Sequence, residues 1–315
     1  MEKVMIISTG GTIVSVDRGG GAEPDAEAAK SVVAPALDYL RGRGVEYELC
    51  EAFGAAGVDS SDMSPEEWLA LSRIIARGQA EGVKKFLVVH GTDTMAFSAA
   101  WLSLTVSDAA VVLTGSQRTP DEEGFDGTDN LLGAAKLLLE TDSGVFIYFA
   151  GEAFPGAYVH KEDSSALCAY VRTGCGESPS FGLPARTGDW REAARKLAVV
   201  YLHPAYCGGF PQNAKILALC GYGSGNMAQR LHKELAAAYD GAERPVIIAA
   251  SSCAKGEKDP LRYGGVGMAA LAERNFTVFS QGSYSLEFLI TLSYLALLSC
   301  ADAPEKIVGR CLEKF

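Results

Sequence analysis

The stretch that most limits what this chain can fold into is residues 85–95, Lys-Phe-Leu-Val-Val-His-Gly-Thr-Asp-Thr-Met. An apolar, β-forming run over residues 86–90 leads straight into a glycine and three small oxygen-bearing side chains. A run without polar alternation is that of a strand covered on both faces, as in a parallel sheet flanked by helices. In open sheets of that kind, ligands sit outside the carboxyl ends of the strands. Gly91-Thr92-Asp93-Thr94 falls at that end. A hydroxyl beside a carboxylate there serves either chemistry or the capping of the next helix, and the motif by itself does not choose.

The pattern repeats along the chain. A strand over residues 4–7 ends in Ser8-Thr9-Gly10-Gly11-Thr12, and a strand over residues 110–113 ends in Thr114-Gly115-Ser116-Gln117. Between strands the apolar residues recur at helical spacing, as with Val32, Val33, Ala36, Leu37 and Leu40 over residues 26–41. Residues 47–49 read as a short strand. Ser64, Pro65 and Glu67 form a helix start with a capping box, ahead of Trp68, Leu69, Leu71, Ile74 and Ile75. A helix passes through Trp101, another covers residues 129–140, and a strand covers 145–149. Such alternation predicts an α/β class, with a large parallel-sheet amino-terminal domain and right-handed crossovers.

Glycines and prolines crowd residues 173–194, which reads as a domain connection. Beyond it, strands at 197–202, 216–219 and 246–249 alternate with helices near 226–239, 265–274 and 285–299, a second and smaller α/β unit. The expected boundaries are a first domain over 1–185, a linker over 186–210 and a second domain over 211–315.

Composition narrows the function. The chain has 315 residues, is 48% hydrophobic and 21% charged, and carries a net charge of −11. An acidic surface argues against nucleic acid and anionic membranes as partners, since both require a basic face. The most apolar stretch, residues 286–300, is too short to span a bilayer and contains Glu287, so it is expected as a core helix. Residues 1–3 run directly into the first strand with no export signal, so a cytoplasmic location with reduced thiols is expected. The eight cysteines include no C-x-x-C pair, and His90, His160, His203 and His232 lack ligand spacing, so no metal is expected. Cys253 reads as a structural, buried thiol. The turns at residues 9–12 and 221–226 match neither a phosphate loop nor a dinucleotide fingerprint. Their glycines serve better to bring backbone amides close to a small ligand.

Four strand-end turns thus carry small hydroxyls: residues 9–12, 59–61, 92–93 and 114–116. In a parallel sheet they can converge on one edge. A threonine there becomes a nucleophile if a base takes its proton, and a lysine serves as that base when its surroundings favour the neutral form.

Thr9-Gly10-Gly11-Thr12-Ile13 and His90-Gly91-Thr92-Asp93-Thr94-Met95 resemble the two signature motifs of the bacterial-type L-asparaginases. Asp59-Ser60-Ser61-Asp62-Met63 before Ser-Pro-Glu resembles the cytoplasmic, type I branch. Residues 114–117, 125–127 and 222–226 fit as well. The resemblance covers almost the whole chain. It implies an asparaginase-like fold with a left-handed crossover in the larger domain, and sites at the interface of a dimer, often paired into a tetramer. It also implies hydrolysis of L-asparagine to L-aspartate and ammonia without a cofactor.

Residue by residue, the resemblance implies Thr12 as nucleophile, with Thr92, Asp93 and Lys161 as the second threonine, its acid and the partner lysine. Asp59, Ser60 and Ser61 match the turn that holds the substrate's α-carboxylate and amine. Backbone groups of Gly11, Gly91 and Ser116 are candidates for carboxylate and oxyanion binding. Asn226 is a candidate contributed by the neighbouring subunit, though helix capping would account for it too. Lys161 alternatively reads as a solvated surface lysine beside Glu162 and Asp163, and Thr94 as a helix cap. One departure stands out: the family carries a lid tyrosine about ten residues after the nucleophile, and Ala22 stands there, next to Glu23. Two other readings therefore remain, an amidase for a different or substituted amide and a protein that binds aspartate-like ligands with little turnover.

Overall fold

The computed structural model describes all residues except Met1, Arg18, Gly20, Gly21, Asp25, Ala56 and Thr187. Of Asp17, residues 22–24, Ala26 and Glu27 it describes the backbone alone. The chain divides into two compact units, one of residues 1–172 and 176–183, the other of residues 173–175 and 184–315.

In the first unit the chain runs β1 (Lys3–Ser8), β2 (Ser15–Asp17), β3 (Ala22–Pro24), α1 (Ala26–Gly42) and β4 (Glu46–Glu51). It continues through α2 (Pro65–Ala80), β5 (Lys85–Val89), α3 (Met95–Thr105), β6 (Ala110–Thr114), α4 (Gly127–Glu140) and β7 (Gly144–Phe149). Three short strands close it: β8 (Glu152–Pro155), β9 (Val159–Lys161) and β10 (Tyr170–Arg172). The main sheet has the order β4-β1-β5-β6-β7-β8. Its strands are parallel except β8, which returns antiparallel to β7. The chain leaves β1 for β4 on one side and then crosses to β5 on the other. The switch point of the sheet therefore lies between β1 and β5, and the strands' carboxyl ends there are where sheets of this kind bind ligands.

The unbroken apolar runs behave as their pattern requires. All of β5 and β6 is buried. On one face Val4, Ile6, Leu87, Val89, Ala110 and Val112 pack with Val32, Ala36, Leu37 and Leu40 of α1 and with Leu131, Ala134, Ala135 and Leu138 of α4. The opposite face meets α2 so closely that a Cβ on Gly78 would stand 2.8 Å from the Phe86 ring. Lys85 is the one charged residue in the run, and its Nζ donates to the carbonyls of Leu138, Leu139 and Thr141 at 2.9–3.1 Å. It thereby satisfies carbonyls that the end of α4 leaves without helical donors.

The capping box at α2 is present: Glu66 N–H donates to Ser64 Oγ at 3.2 Å, and Ser64 N–H to Glu67 Oε2 at 2.7 Å. Thr94 stands at the N-cap position of α3 but does not cap it. Its hydroxyl donates instead to the carbonyl of Ser60 at 2.7 Å, so the capping expectation is corrected by a tertiary partner.

The second unit comprises α5 (Trp190–Lys196), β11 (Leu197–Tyr201), β12 (Ile216–Gly221), α6 (Gln229–Ala238), β13 (Val246–Ser251), β14 (Val278–Ser280), α7 (Leu286–Cys300) and α8 (Glu305–Val308). Its sheet is parallel in the order β11-β12-β13-β14. Residues 186–210, expected as a linker, contain α5 and the sheet strand β11. Helix α7 is the expected core helix, with Phe288, Leu289, Leu292 and Leu295 fully covered. The helix expected over residues 265–274 is a 3-10 helix, Met268–Arg274, closed by Asn275 in the left-handed conformation. Among the described residues no helix is long and apolar enough to cross a membrane. The larger parallel-sheet α/β unit and the smaller α/β unit agree with the fold class read from the sequence.

Candidate active site

Four turns meet at the carboxyl edge of the first sheet, and their glycines explain how closely. Gly10 and Gly11 have φ of 105° and 99°, which side-chain-bearing residues rarely adopt. A Cβ on Gly11 would lie 2.6 Å from Gly91 Cα, one on Gly91 2.6 Å from Ser60 Oγ, and one on Gly115 2.2 Å from the His90 carbonyl. The turns after β1, β5 and β6 thus touch one another and the Asp59–Ser61 segment through bare backbone. Thr12 and Thr92, each one residue beyond a contacting glycine, leave from adjacent turns straddling the switch point.

Lys161, at the end of β9, reaches across 69 residues of sequence to these turns. Its Nζ lies 2.8 Å from Thr92 Oγ1 and 2.7 Å from Asp93 Oδ1. The side chain is 17% exposed, which rules out the solvated surface lysine. Asp93 also accepts from Ser61 Oγ at 3.2 Å. The Lys161 hydrogen bond, helped by that from Ser61 and opposed by partial burial, holds the Asp93 carboxyl below its ordinary range. The sequence motifs therefore come together as one hydrogen-bonded chain, Thr92–Lys161–Asp93–Ser61.

The turn at residues 59–61 is a one-turn 3-10 helix start. Asp59 Oδ1 accepts from Ser61 N–H at 2.8 Å, while Ser60 is buried against Gly91. Ser116 is buried, and its hydroxyl donates to the Arg118 carbonyl at 2.6 Å, leaving backbone as what it can offer a ligand. Asn226 belongs to the second unit. It exchanges backbone hydrogen bonds with Tyr222, each 2.8 Å, in a tight turn. Helix α6 starts at Gln229 with Ala228 as its N-cap, so capping does not account for Asn226. Its Oδ1 is buried and without a hydrogen-bond partner among the described residues. Cys253 is exposed rather than buried, because its chain segment lies in the loop after β13 and not in the strand. Glu23 and Ala22 fall where side chains lie outside the described residues.

Two residues without an assigned role in the sequence motifs bond Thr92, and a third braces the neighbouring Gly91. Tyr170 pairs with Lys161 across the β9–β10 ladder, and its hydroxyl donates to the Thr92 carbonyl at 2.6 Å. Gln117 Oε1 accepts from the Thr92 hydroxyl at 3.1 Å. His90, fully buried, bonds Gly91 O through Nδ1 at 2.7 Å and Ser98 Oγ through Nε2 at 2.8 Å. Burial pushes the His90 imidazole down to about 4, so the ring is neutral, with Nδ1–H donating to Gly91 and Nε2 accepting from Ser98. His90 and Gln117 lie within the motifs, whereas Tyr170 is 78 residues from Thr92 and carries no local signal.

Chemically, a hydroxyl held between an ammonium and an amide, beside a second threonine, suits proton movement during acyl transfer. Among the described residues no cluster of His, Cys, Asp or Glu has the arrangement of a metal site.

The chain is similar to several known proteins. A curated probable L-asparaginase of Deinococcus radiodurans is 29% identical over 270 residues, which is 79% of each chain. One chain of the glutamyl-tRNA(Gln) amidotransferase of Archaeoglobus fulgidus is 32% identical over 201 residues, spanning 60% of this chain and 46% of that protein. The fold matches the thermostable L-asparaginase from Thermococcus kodakarensis with a TM-score of 0.77 at 22% identity, over 98% of this chain and 96% of that one. It matches the probable cytoplasmic L-asparaginase from Campylobacter jejuni with a TM-score of 0.76 at 22% identity, over 98% of both chains. The model of the asparaginase amino-terminal domain matches residues 3–181, more than half of the chain and all four converging turns, and the chain therefore belongs to the asparaginase family of hydrolases.

Proposed function

We propose that this chain hydrolyses L-asparagine to L-aspartate and ammonia through a threonine acyl-enzyme. Thr12 Oγ attacks the side-chain amide carbon as its proton passes to the Thr92–Lys161 chain, and the carbonyl oxygen becomes an oxyanion held by backbone N–H groups of the Gly11, Gly91 and Ser116 turns. Collapse breaks the carbon–nitrogen bond, and the leaving nitrogen takes its proton from the Thr92–Lys161 chain. Water then adds to the Thr12 ester and passes a proton to that chain, which returns one to Thr12 Oγ as the ester bond breaks and aspartate leaves. Asp93 keeps the positive charge on Lys161 in place. Asp59 and the Ser60–Ser61 segment hold the substrate's amine and α-carboxylate, and Asn226 completes the site from a neighbouring protomer of a cytoplasmic dimer or tetramer.

The observation that carries this reading is Lys161 bonded to both Thr92 and Asp93 beside the Thr12 turn. Ammonia release measured across L-asparagine, L-glutamine and N-substituted amides tests it. Fast release from L-asparagine supports the proposal, and binding of aspartate with no release from any amide overturns it. The order of the threonines is tested by trapping: a covalent acyl label that still forms on the Thr12→Ala variant would assign the first attack to Thr92.

A second reading is favoured by Ala22 in the lid position and by the resemblance to the amidotransferase chain. On this reading the same machinery cleaves a larger or substituted amide. Turnover of such an amide far above that of L-asparagine selects it.

A further inference from the structure

Thr92 and Lys161 are 2.8 Å apart, and which of them holds the shared proton decides whether the lysine waits as acid or as base. The answer follows from a residue behind them. Gln117 spans two partners: its Nε2 is 3.2 Å from the Ala166 carbonyl, and its Oε1 is 3.1 Å from Thr92 Oγ1. A carbonyl oxygen only accepts, so the amide nitrogen must face Ala166. The reversed amide would press two acceptor oxygens together. With the amide so turned, Oε1 faces Thr92, and because Oε1 only accepts, the Thr92 hydroxyl must donate to it. Having spent its one proton on Gln117, Thr92 is an acceptor towards Lys161, so Lys161 is the donor and gives it one of its N–H protons. Asp93 at 2.7 Å accepts a second of them.

We propose that Gln117 is a positioning residue that sets the direction of the Thr92 proton, locking the resting site with Lys161 as acid and Thr92 as acceptor. The inference deepens the amidohydrolase reading and rests on it only for the kinetic consequence. The Thr92 oxygen is tetrahedral, with one hydrogen towards Gln117 and one lone pair towards Lys161. Its second lone pair has no partner among the described residues. That lone pair is matched to a donor on the substrate, which an amide N–H supplies and a carboxylate product does not. The lock therefore favours amide over product; to protonate the leaving nitrogen, the Thr92 hydroxyl turns from Gln117 towards it while Lys161 donates to the Thr92 oxygen. Re-forming Thr92 as a base for water requires the hydroxyl to swing off Gln117 after ammonia has left.

Two variants separate this from simple packing. Gln117→Leu removes the acceptor and frees the Thr92 hydroxyl to donate to the lysine, which favours the deprotonated amine. The alkaline limb of kcat/KM for whichever amide is turned over should move down by about one pH unit, the equivalent of one hydrogen bond reversed. Gln117→Glu keeps an acceptor and adds a negative charge near the lysine, so its limb should move up. KM for the amide should change less than kcat in both. Limbs that coincide with the parent in both variants would overturn the proposal, whatever their activities. A readout independent of turnover is neutron diffraction of the deuterated parent protein. Deuterium on the Thr92–Gln117 line, with three deuterons on the lysine nitrogen, supports the lock. Deuterium on the Thr92–Lys161 line with two on the nitrogen refutes it. If no amide is hydrolysed, the proposed function fails while the neutron map still decides the position of the proton.

Discussion

Replacing Lys161 by Met separates what the lysine does for chemistry from what it does for folding. In the fold it makes two hydrogen bonds, one to Thr92 and one to an Asp93 carboxylate that is 61% exposed. An ion pair with so exposed a partner contributes at most about 1 kcal/mol, because water screens it. The methionine retains most of the buried stem, and water reaches the Asp93 carboxylate left behind. Stability should therefore fall by no more than about 1 kcal/mol. Chemistry loses the cation in contact with Thr92, and removal of a positioned acid–base group costs roughly 10²–10⁴ in rate. Ammonia release gives the second quantity and urea unfolding followed by circular dichroism the first. A variant within tenfold of the parent rate would refute the proton-relay role. A stability loss beyond about 3 kcal/mol would show that the lysine is chiefly structural.

Gly11→Ala should unfold at markedly lower urea, by about 2 kcal/mol or more, since its Cβ would meet backbone at 2.6 Å and φ is 99°; parent-like melting together with parent-like activity would contradict the backbone contact. Lys85→Met should cost about 2 kcal/mol by removing its donor from the Leu139 and Thr141 carbonyls and leaving Leu138 only the long bond from Thr141 N–H, read by the same unfolding experiment. The ring of His90 should remain neutral in NMR titrations down to about pH 5, because burial holds it at about 4. Since the folded value lies below the unfolded one, its contribution is intact above about pH 6.5 and is lost progressively as the pH falls towards 4. Asp93, also depressed, adds acid sensitivity in the same direction at lower pH.

Local signals were enough for much of this protein. The unbroken runs of β5 and β6 could be satisfied only by a strand buried on both sides, and Ser64 with Glu67 begins a helix whatever surrounds it, because both partners lie within one turn. The two threonine motifs were legible as residues of interest, since small hydroxyls at strand ends are written in residue type, whereas Lys161 was singled out only by the family resemblance. Tertiary structure decided which partner each polar group took. Thr94 sits where a cap belongs, yet its hydroxyl chose the Ser60 carbonyl, 34 residues away. Strand β14 is three residues long and finds its place by pairing with β13 on one side and with residues 313–315 on the other, and Cys253 lies exposed just past a buried strand whose pattern runs up to it. Tyr170 and Gln117 act on Thr92 from 78 and 25 residues away. A hydrogen bond is short-ranged and indifferent to sequence separation, so the alternation of strands and helices was determined by the sequence, while the direction of a single proton on Thr92 was decided by folding.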